Sequence, residues 1–140
     1  MGMSVAIESL CQFQKPFERL ESLDVYLKSP THMPIFQYLV NQSELLETLI
    51  FDQFFVDYSE SLINQSLFEW SKLEHLKELS IGHGSQLSIV TANVIIANCQ
   101  QLKRLGRLDQ WGQVNRHQIA SIRTEIQARN FDIEIEAGDL

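Results

Sequence analysis

Leucine pairs recur along the chain at nearly equal intervals. Segments that begin at residues 17, 43, 73 and 99 share the skeleton L-x-x-L. The pairs are Leu20 and Leu23, Leu46 and Leu49, Leu76 and Leu79, and Leu102 and Leu105. Successive pairs are separated by roughly 25 to 30 residues, an interval typical of repeat proteins. Four segments in nearly constant phase therefore indicate an internal repeat.

In the first three repeats, apolar and polar residues alternate from the second leucine onward. The apolar positions are Leu23 and Val25, Leu49 and Phe51, and Leu79 and Ile81. A period of two residues is typical of a strand with one buried face. We therefore predict a short strand in each repeat, with the remaining side chains on the opposite face.

Apolar residues with helical spacing follow each predicted strand. The stripes are Ile35, Phe36, Leu39 and Val40; then Leu62, Ile63 and Leu67; then Val94, Ile95 and Cys99. Residues suited to the first turn or the cap of these helices are Pro34, then Ser59 or Ser61, then Ser88 or Thr91. Alternating strands and helices predict an α/β fold in which neighbouring units stack, because no unit can bury its apolar faces alone.

The N-terminal end departs from the repeat. Ile7, Leu10 and Cys11 predict the end of a helix from a repeat whose strand is missing. We therefore expect the chain to be the far end of a longer protein.

The C-terminal end predicts a closing helix and strand. Asn115 can cap a helix whose apolar stripe is Ile119, Ile122 and Ile126. After that helix, apolar and acidic residues alternate at Phe131, Asp132, Ile133, Glu134, Ile135 and Glu136. An acidic strand of this kind closes the sheet and discourages edge-to-edge pairing.

The repeats resemble those of leucine-rich repeat proteins of the ribonuclease-inhibitor-like type. The stretch NCQQLKRL at 98–105 is similar to the cysteine-containing repeat of F-box substrate receptors, and residues 95–111 with 129–135 look like their terminal repeats. The resemblance implies a leucine-rich repeat solenoid, a short curved parallel sheet with helices on the convex side. The single domain, 1–140, would hold a partial repeat at about 1–16, repeats at 17–42, 43–72, 73–98 and 99–130, and a cap at 131–136.

Two features depart from the pattern of that family. The Asn or Cys expected three positions after the third apolar residue is replaced by Lys28, Phe54, Gly84 and Gln110. In the fourth repeat Arg107 stands where an apolar residue is expected, with Leu108 one place later. We expect a bulge or a register shift at that point.

Composition and charge narrow the class of partner. The 140 residues are 44% hydrophobic and carry 11 Lys and Arg against 18 Asp and Glu, a net charge of −7. Such a balance argues against nucleic acid and anionic membranes as partners, since both require a basic face. Two widely separated cysteines and the lack of a recognisable targeting signal favour the cytoplasm or the nucleus.

Candidate catalytic residues are few. The histidines are His32, His75, His83 and His117, and no pair has the spacing of a helical metal site, so no metal or other cofactor is expected. Cys99 is in phase with an apolar stripe, which favours a place in the core. An enzyme is therefore not the favoured reading. A small hydrolase or metal enzyme that uses His83 with Asp52 or Cys99 stays open as an alternative.

The predicted function is protein binding through the strand face that points away from the core. The predicted partner-binding residues are Asp24, Tyr26, Thr48, Ile50, Asp52, Ser80, His83 and Arg104. The family resemblance implies substrate recognition for a cullin-type ubiquitin ligase, with an upstream F-box segment or a ligase adaptor as a further partner. A truncated repeat fragment without an independent function is the other alternative.

Overall fold

The computed structural model of the chain describes residues 2–6, 20–27, 40, 43–53, 74–83, 86–99 and 101–138. The strands in these ranges are β1 (Gly2–Ala6), β2 (Ser22–Leu27), β3 (Thr48–Gln53), β4 (Glu78–Gly82), β5 (Arg104–Gly106) and β6 (Glu134–Ile135). Helix α1 spans Ile89–Asn98 and helix α2 spans Arg116–Ala128, with a short 3₁₀ helix at Leu108–Gln110 between them. Neither of these α-helices is long and apolar enough to cross a membrane.

The strands form one parallel sheet whose spatial order is the order of the sequence. Each strand from β2 to β6 pairs in parallel with the strand before it. Parallel neighbours need a crossover between them, and α1 supplies it between β4 and β5, as α2 does between β5 and β6. The predicted α/β class and the parallel sheet are confirmed.

The register of the sheet follows the leucine pattern. Cα partners across the sheet are Leu23, Leu49, Leu79, Leu105 and Ile135, one from each strand after β1. All five side chains are buried. The preceding leucines of the four pairs, Leu20, Leu46, Leu76 and Leu102, are buried as well. The interval between repeats therefore places like residues side by side in one core.

A recurring backbone contact joins the segments just before the strands. In each case one carbonyl accepts hydrogen bonds from two successive amides of the next repeat, at 2.7–3.0 Å. The carbonyls are those of Glu21, Glu47 and Lys77, and the paired donors are Glu47 with Thr48, Lys77 with Glu78, and Lys103 with Arg104. These contacts fix where each strand begins relative to its neighbour.

Both helices begin at the side chains that the sequence indicates. Ser88, one of the two predicted caps of α1, accepts a hydrogen bond from the Val90 amide at 3.1 Å. Asn115 caps α2, and the predicted stripe of Ile119, Ile122 and Ile126 is buried.

The apolar stripe of α1 differs in part from the prediction. Ile95 and Cys99 are buried, but Val94 is only half-buried. Thr91, Ala92 and Ile96 complete the buried face. At about 100° per residue, the buried positions share one face of the helix, and Val94 lies beyond the edge of that face.

The structure corrects three further predictions. First, residues ahead of Ile7 do form a strand, β1, because Met3 and Val5 are in register with Leu23 and Val25. Second, the closing strand is only Glu134–Ile135, since it pairs with the short strand β5, which begins at Arg104. The half-buried Phe131 and Ile133 instead pack against the core from outside the strand.

Third, the irregularity expected at Arg107 lies just after β5, and the strand itself keeps its register. Strand β5 keeps its register with β4 through the pair Ser80 and Gly106. The chain then leaves the sheet at Arg107, whose φ is 66°, and Leu108 becomes fully buried. The predicted helices at residues 34–40 and 59–67 lie outside the described residues, apart from the buried Val40.

Candidate functional site

The side chains that alternate with the buried leucines form three rows across the sheet, which we call the outer face. The first row is Ser22, Thr48, Glu78, Arg104 and Glu134; the second is Asp24, Ile50, Ser80 and Gly106; the third is Tyr26, Asp52 and Gly82. Seven of the eight predicted binding residues share this face, and the eighth, His83, follows directly after β4.

Exposure differs greatly along the outer face. Tyr26 is 36% exposed, the largest apolar exposure among the described residues of this face. Asp24, Thr48 and Ile50 are half-buried. Ser80, by contrast, is only 5% exposed, so it offers little surface to a partner although its register is as predicted.

Polar groups from four elements converge where the strands end, in a group that we call the carboxyl-edge cluster: Asp52, His83, Arg107 and Gln110. Arg107 Nη1 donates to Asp52 Oδ1 at 2.7 Å, and His83 Nδ1 lies 3.3 Å from the same oxygen. Gln110 Oε1 accepts from the His83 amide at 3.0 Å. Because parallel strands end at the same edge of a sheet, residues far apart in sequence meet here.

Gly82 makes the approach of these side chains possible. A Cβ at this position would overlap Asp52 Oδ1 and would lie 2.8 Å from Arg107 Nη1 and 2.9 Å from Gln110 Oε1. The carboxylate of Asp52, with the guanidinium of Arg107 next to it, therefore occupies the space that a side chain at position 82 would fill.

Two residues at this edge adopt a left-handed backbone although they have side chains. His83 has a φ of 55° and Arg107 a φ of 66°. This conformation costs a non-glycine residue about 1–2 kcal/mol. Each amide is held by a side-chain acceptor, Gln110 Oε1 for His83 and Glu136 Oε2 for Arg107, the latter at 2.9 Å.

A second ionic group lies beside the cluster. Arg104 Nη1 is 3.8 Å from Glu78 Oε1, and Arg104 Nη2 is 4.0 Å from Glu136 Oε2. Hydrogen bonds from the Arg107 and Gly138 amides, aided by the charges of both arginines, hold the pKa of Glu136 below its ordinary value despite partial burial. Arg104 Nε is buried and makes no hydrogen bond with the described residues.

Three observations bear on the alternative of an enzyme. His83 and Asp52 do come together, as an acid–base pair requires, but Arg107 is bonded to the same carboxylate oxygen at the shorter distance. Burial raises the pKa of the Cys99 thiol to about 11, which keeps it protonated and poorly nucleophilic at neutral pH. Among the described residues, no group of three His, Cys, Asp or Glu could hold a metal ion.

Sequence reasoning did not include Arg107, Gln110 and Glu136 among the binding residues. Arg107 had one signal, its place at a position where the repeat expects an apolar residue. Gln110 likewise replaces an expected Asn or Cys. Each of these two residues thus departs from the repeat pattern within four positions of the end of β5.

A separate groove, lined by both apolar and polar residues, lies between α1 and α2. Its volume is about 280 Å³, and Ile96, Ile122, Ile126 and Phe131 line it. An ion pair between Arg129 and Glu125 at 2.9 Å lies on its rim.

Comparisons with known proteins give no match. No family model matches the chain, and neither a curated protein nor a solved structure matches it. The outer face and the carboxyl-edge cluster are therefore the observations on which a function can rest.

Proposed function

We propose that the chain is a protein-binding module of the leucine-rich repeat kind, which holds a partner protein against the outer face of its sheet. Three features support the repeat arrangement: strands in sequential order, leucines in one register, and the same backbone contact ahead of successive strands. In a repeat solenoid, the outer side chains of the strands line the concave surface.

The observation that carries this proposal is the exposed ring of Tyr26 beside a half-buried aliphatic side chain. Tyr26 is opposite Asp52 in the register, and Asp24 is opposite Ile50. We call these four residues the Tyr26 patch. Tyrosine is enriched among residues that dominate binding energy, because its ring offers a large contact area with few rotatable bonds.

Binding fits the carboxyl-edge cluster better than acid–base catalysis does. Asp52 is 19% exposed in its side chain and is bonded to a permanently charged guanidinium, so its carboxylate is already neutralised. A catalytic aspartate that supports a histidine should instead pair chiefly with that histidine. The cluster is therefore proposed to fix the shape of the carboxyl edge beside the Tyr26 patch.

The family resemblance suggests a specific role within this proposal. Residues 98–105 resemble the cysteine-containing repeat of F-box substrate receptors. We accordingly propose substrate recognition for a cullin-type ubiquitin ligase as the context in which the outer face would act.

Quantitative affinity purification from cell extract tests the proposal. The variants are Tyr26→Ala with Ile50→Ala, and a control pair, Leu45→Ala with Val90→Ala, which truncates two exposed apolar side chains away from the outer face. We expect at least one protein that is retained by the natural chain and the control pair but reduced about tenfold or more by the first pair. Equal recovery on all three chains, with folded circular dichroism spectra, would contradict the proposal.

A further inference from the structure

The outer face carries more negative than positive charge. Its described carboxylates are Asp24, Asp52, Glu78, Glu134 and Glu136, the last of which lies over Gly106 at 3.2 Å from where a Cβ would be. Its described cations are Arg104 and Arg107. Carboxylates therefore outnumber guanidinium groups on the surface proposed to bind a partner.

Both arginines form ion pairs with carboxylates of the outer face itself. Arg107 is bonded to Asp52 at 2.7 Å, and Arg104 lies within 4.0 Å of Glu78 and Glu136. In the described part of the chain, Asp24 and Glu134 form no ion pair. Of these two, only Asp24 is half-buried and stands on the same strand as Tyr26.

The surroundings of Asp24 suit a cation from another molecule. Tyr26 is two positions along the strand, on the same face, and Ile50 is opposite in the register. A carboxylate beside an exposed aromatic ring can receive a Lys or Arg side chain by ion pairing and by cation–π attraction together.

We propose that the partner presents a basic segment to the outer face, with a Lys or Arg side chain placed against Asp24 and the ring of Tyr26. This inference rests on the proposed protein-binding function and adds the chemistry of the partner. An acidic partner would be repelled by the carboxylates in excess, and the net charge of −7 would slow its approach. A basic partner is attracted both by these carboxylates and by the negative net charge.

Selection from a random 12-residue peptide library displayed on phage, against the immobilised full chain, tests this inference. Selected peptides are then synthesised, and their affinities are measured for the natural chain and for Asp24→Asn, which removes a charge with little change in shape. Glu74→Gln is the matched control, because it makes the same charge change in an exposed turn off the outer face.

We expect the selected peptides to be enriched in Lys and Arg and to bind Asp24→Asn about tenfold more weakly, with Glu74→Gln unchanged. When the critical basic residue of a peptide is replaced by Glu, the peptide should no longer bind the natural chain. The same peptide should bind the variant Asp24→Lys, with part of the original affinity. The affinity should also fall as salt is raised.

Three results would overturn the inference, and they differ in what they say of the proposed function. If peptides without basic enrichment bind and lose affinity with Tyr26→Ala and Ile50→Ala, the outer face binds proteins but not through a cation. If selected peptides bind equally to these outer-face variants and to the natural chain, the proposed function fails as well. Equal weakening by Asp24→Asn and Glu74→Gln would mean that only the overall charge matters, which also overturns the inference.

Discussion

The carboxylate of Glu136 accepts hydrogen bonds from two segments of the chain, the one that follows β5 and the one that follows β6. Its Oε2 accepts from the Arg107 amide at 2.9 Å, and its Oε1 accepts from the Gly138 amide at 3.1 Å. The bond from Arg107 is the main cause of its lowered pKa. A lowered pKa means that the folded state favours the ionised carboxylate, so ionisation of Glu136 stabilises the fold.

The variant Glu136→Gln tests this contribution through the pH dependence of stability. The stabilisation is complete above the ordinary pKa of 4.5 and is lost as the pH falls through the lower value of the folded state. We expect the variant to lose about 1 kcal/mol of unfolding free energy near neutral pH, because the carboxylate is partly exposed, and to approach the natural chain in acid. Urea unfolding across this pH range measures the difference.

Asp132→Asn serves as the control for Glu136→Gln. Asp132 is 90% exposed in its side chain and pairs with Lys103 at 3.3 Å, so its removal should change stability little at any pH. A parallel loss of stability for the Gln variant at neutral and acid pH would contradict the role of ionisation.

Burial was more predictable from sequence than polar contacts at the scale of single residues. Leu23, Leu49 and Leu79 are buried as their period of two predicts. The pair of Asp52 and Arg107, in contrast, spans 55 positions and depends on the left-handed backbone at Arg107. No local sequence pattern reveals such a contact, because the two residues approach each other only when β3, β4 and β5 are paired in register.

Helix α2 is an element whose beginning is fixed by two reciprocal hydrogen bonds. Asn115 Oδ1 accepts from the Gln118 amide at 2.9 Å, and Gln118 Oε1 accepts from the Asn115 amide at 2.9 Å. This capping box satisfies backbone donors that the first turn of a helix leaves unpaired. The buried stripe of α2 can then face the core from a defined starting point.

Replacement of Asn115 should show how much this cap contributes. We expect Asn115→Ala to lower the free energy of unfolding by about 1 kcal/mol, since it removes the acceptor. Asn115→Asp keeps an oxygen in the same place and should retain most of the stability. Chemical denaturation of both variants measures the contribution, and an equal loss in both would show that the side-chain acceptor is not the cause.

Elements with local signals were predictable, and elements that depend on distant partners were not. Caps such as Ser88 and Asn115 act within four residues, so the sequence reveals them. In strand β1, only Met3 and Val5 show the apolar alternation of a strand, which is too short a pattern to predict one. Its register with β2 is what defines it as a strand. Strand β6 is short because its only described partner, β5, spans only Arg104–Gly106, a length that the local pattern at 131–136 does not contain.

At the scale of the molecule, the sheet is built by addition of one strand after another. Each described strand pairs with its predecessor in sequence, from β1 to β6. In an array of this kind, stability is approximately a sum of local units and of contacts between neighbours. The sequence predicted this order, because a constant interval between like residues leaves little choice of topology.

Hydrogen exchange can test whether the units respond separately. Ile135→Val in β6 removes one buried methyl group and should cost about 1 kcal/mol, hence about fivefold faster exchange in β5, β6 and α2. We expect slow amides of β2 and β3 to keep their rates. Leu45→Ala, at a side chain that is 43% exposed, is the control and should leave all rates nearly unchanged.

Uniform acceleration of exchange across all strands of Ile135→Val would indicate a single cooperative unit. That outcome would contradict the additive arrangement, although the sheet order itself would stand. Mass spectrometry of exchanged peptides resolves β2 and β3 from the β5 to β6 region.

The two amides held at the carboxyl edge have a consequence for how the protein is made. His83 receives its acceptor from Gln110, 27 positions later, and Arg107 receives its acceptor from Glu136, 29 positions later. A ribosome adds about 5–20 residues per second, so each of these amides must wait on the order of seconds for its acceptor to be synthesised. During translation, each of these strand ends can therefore be completed only after the following strand has emerged, and the growing chain always carries one unfinished edge.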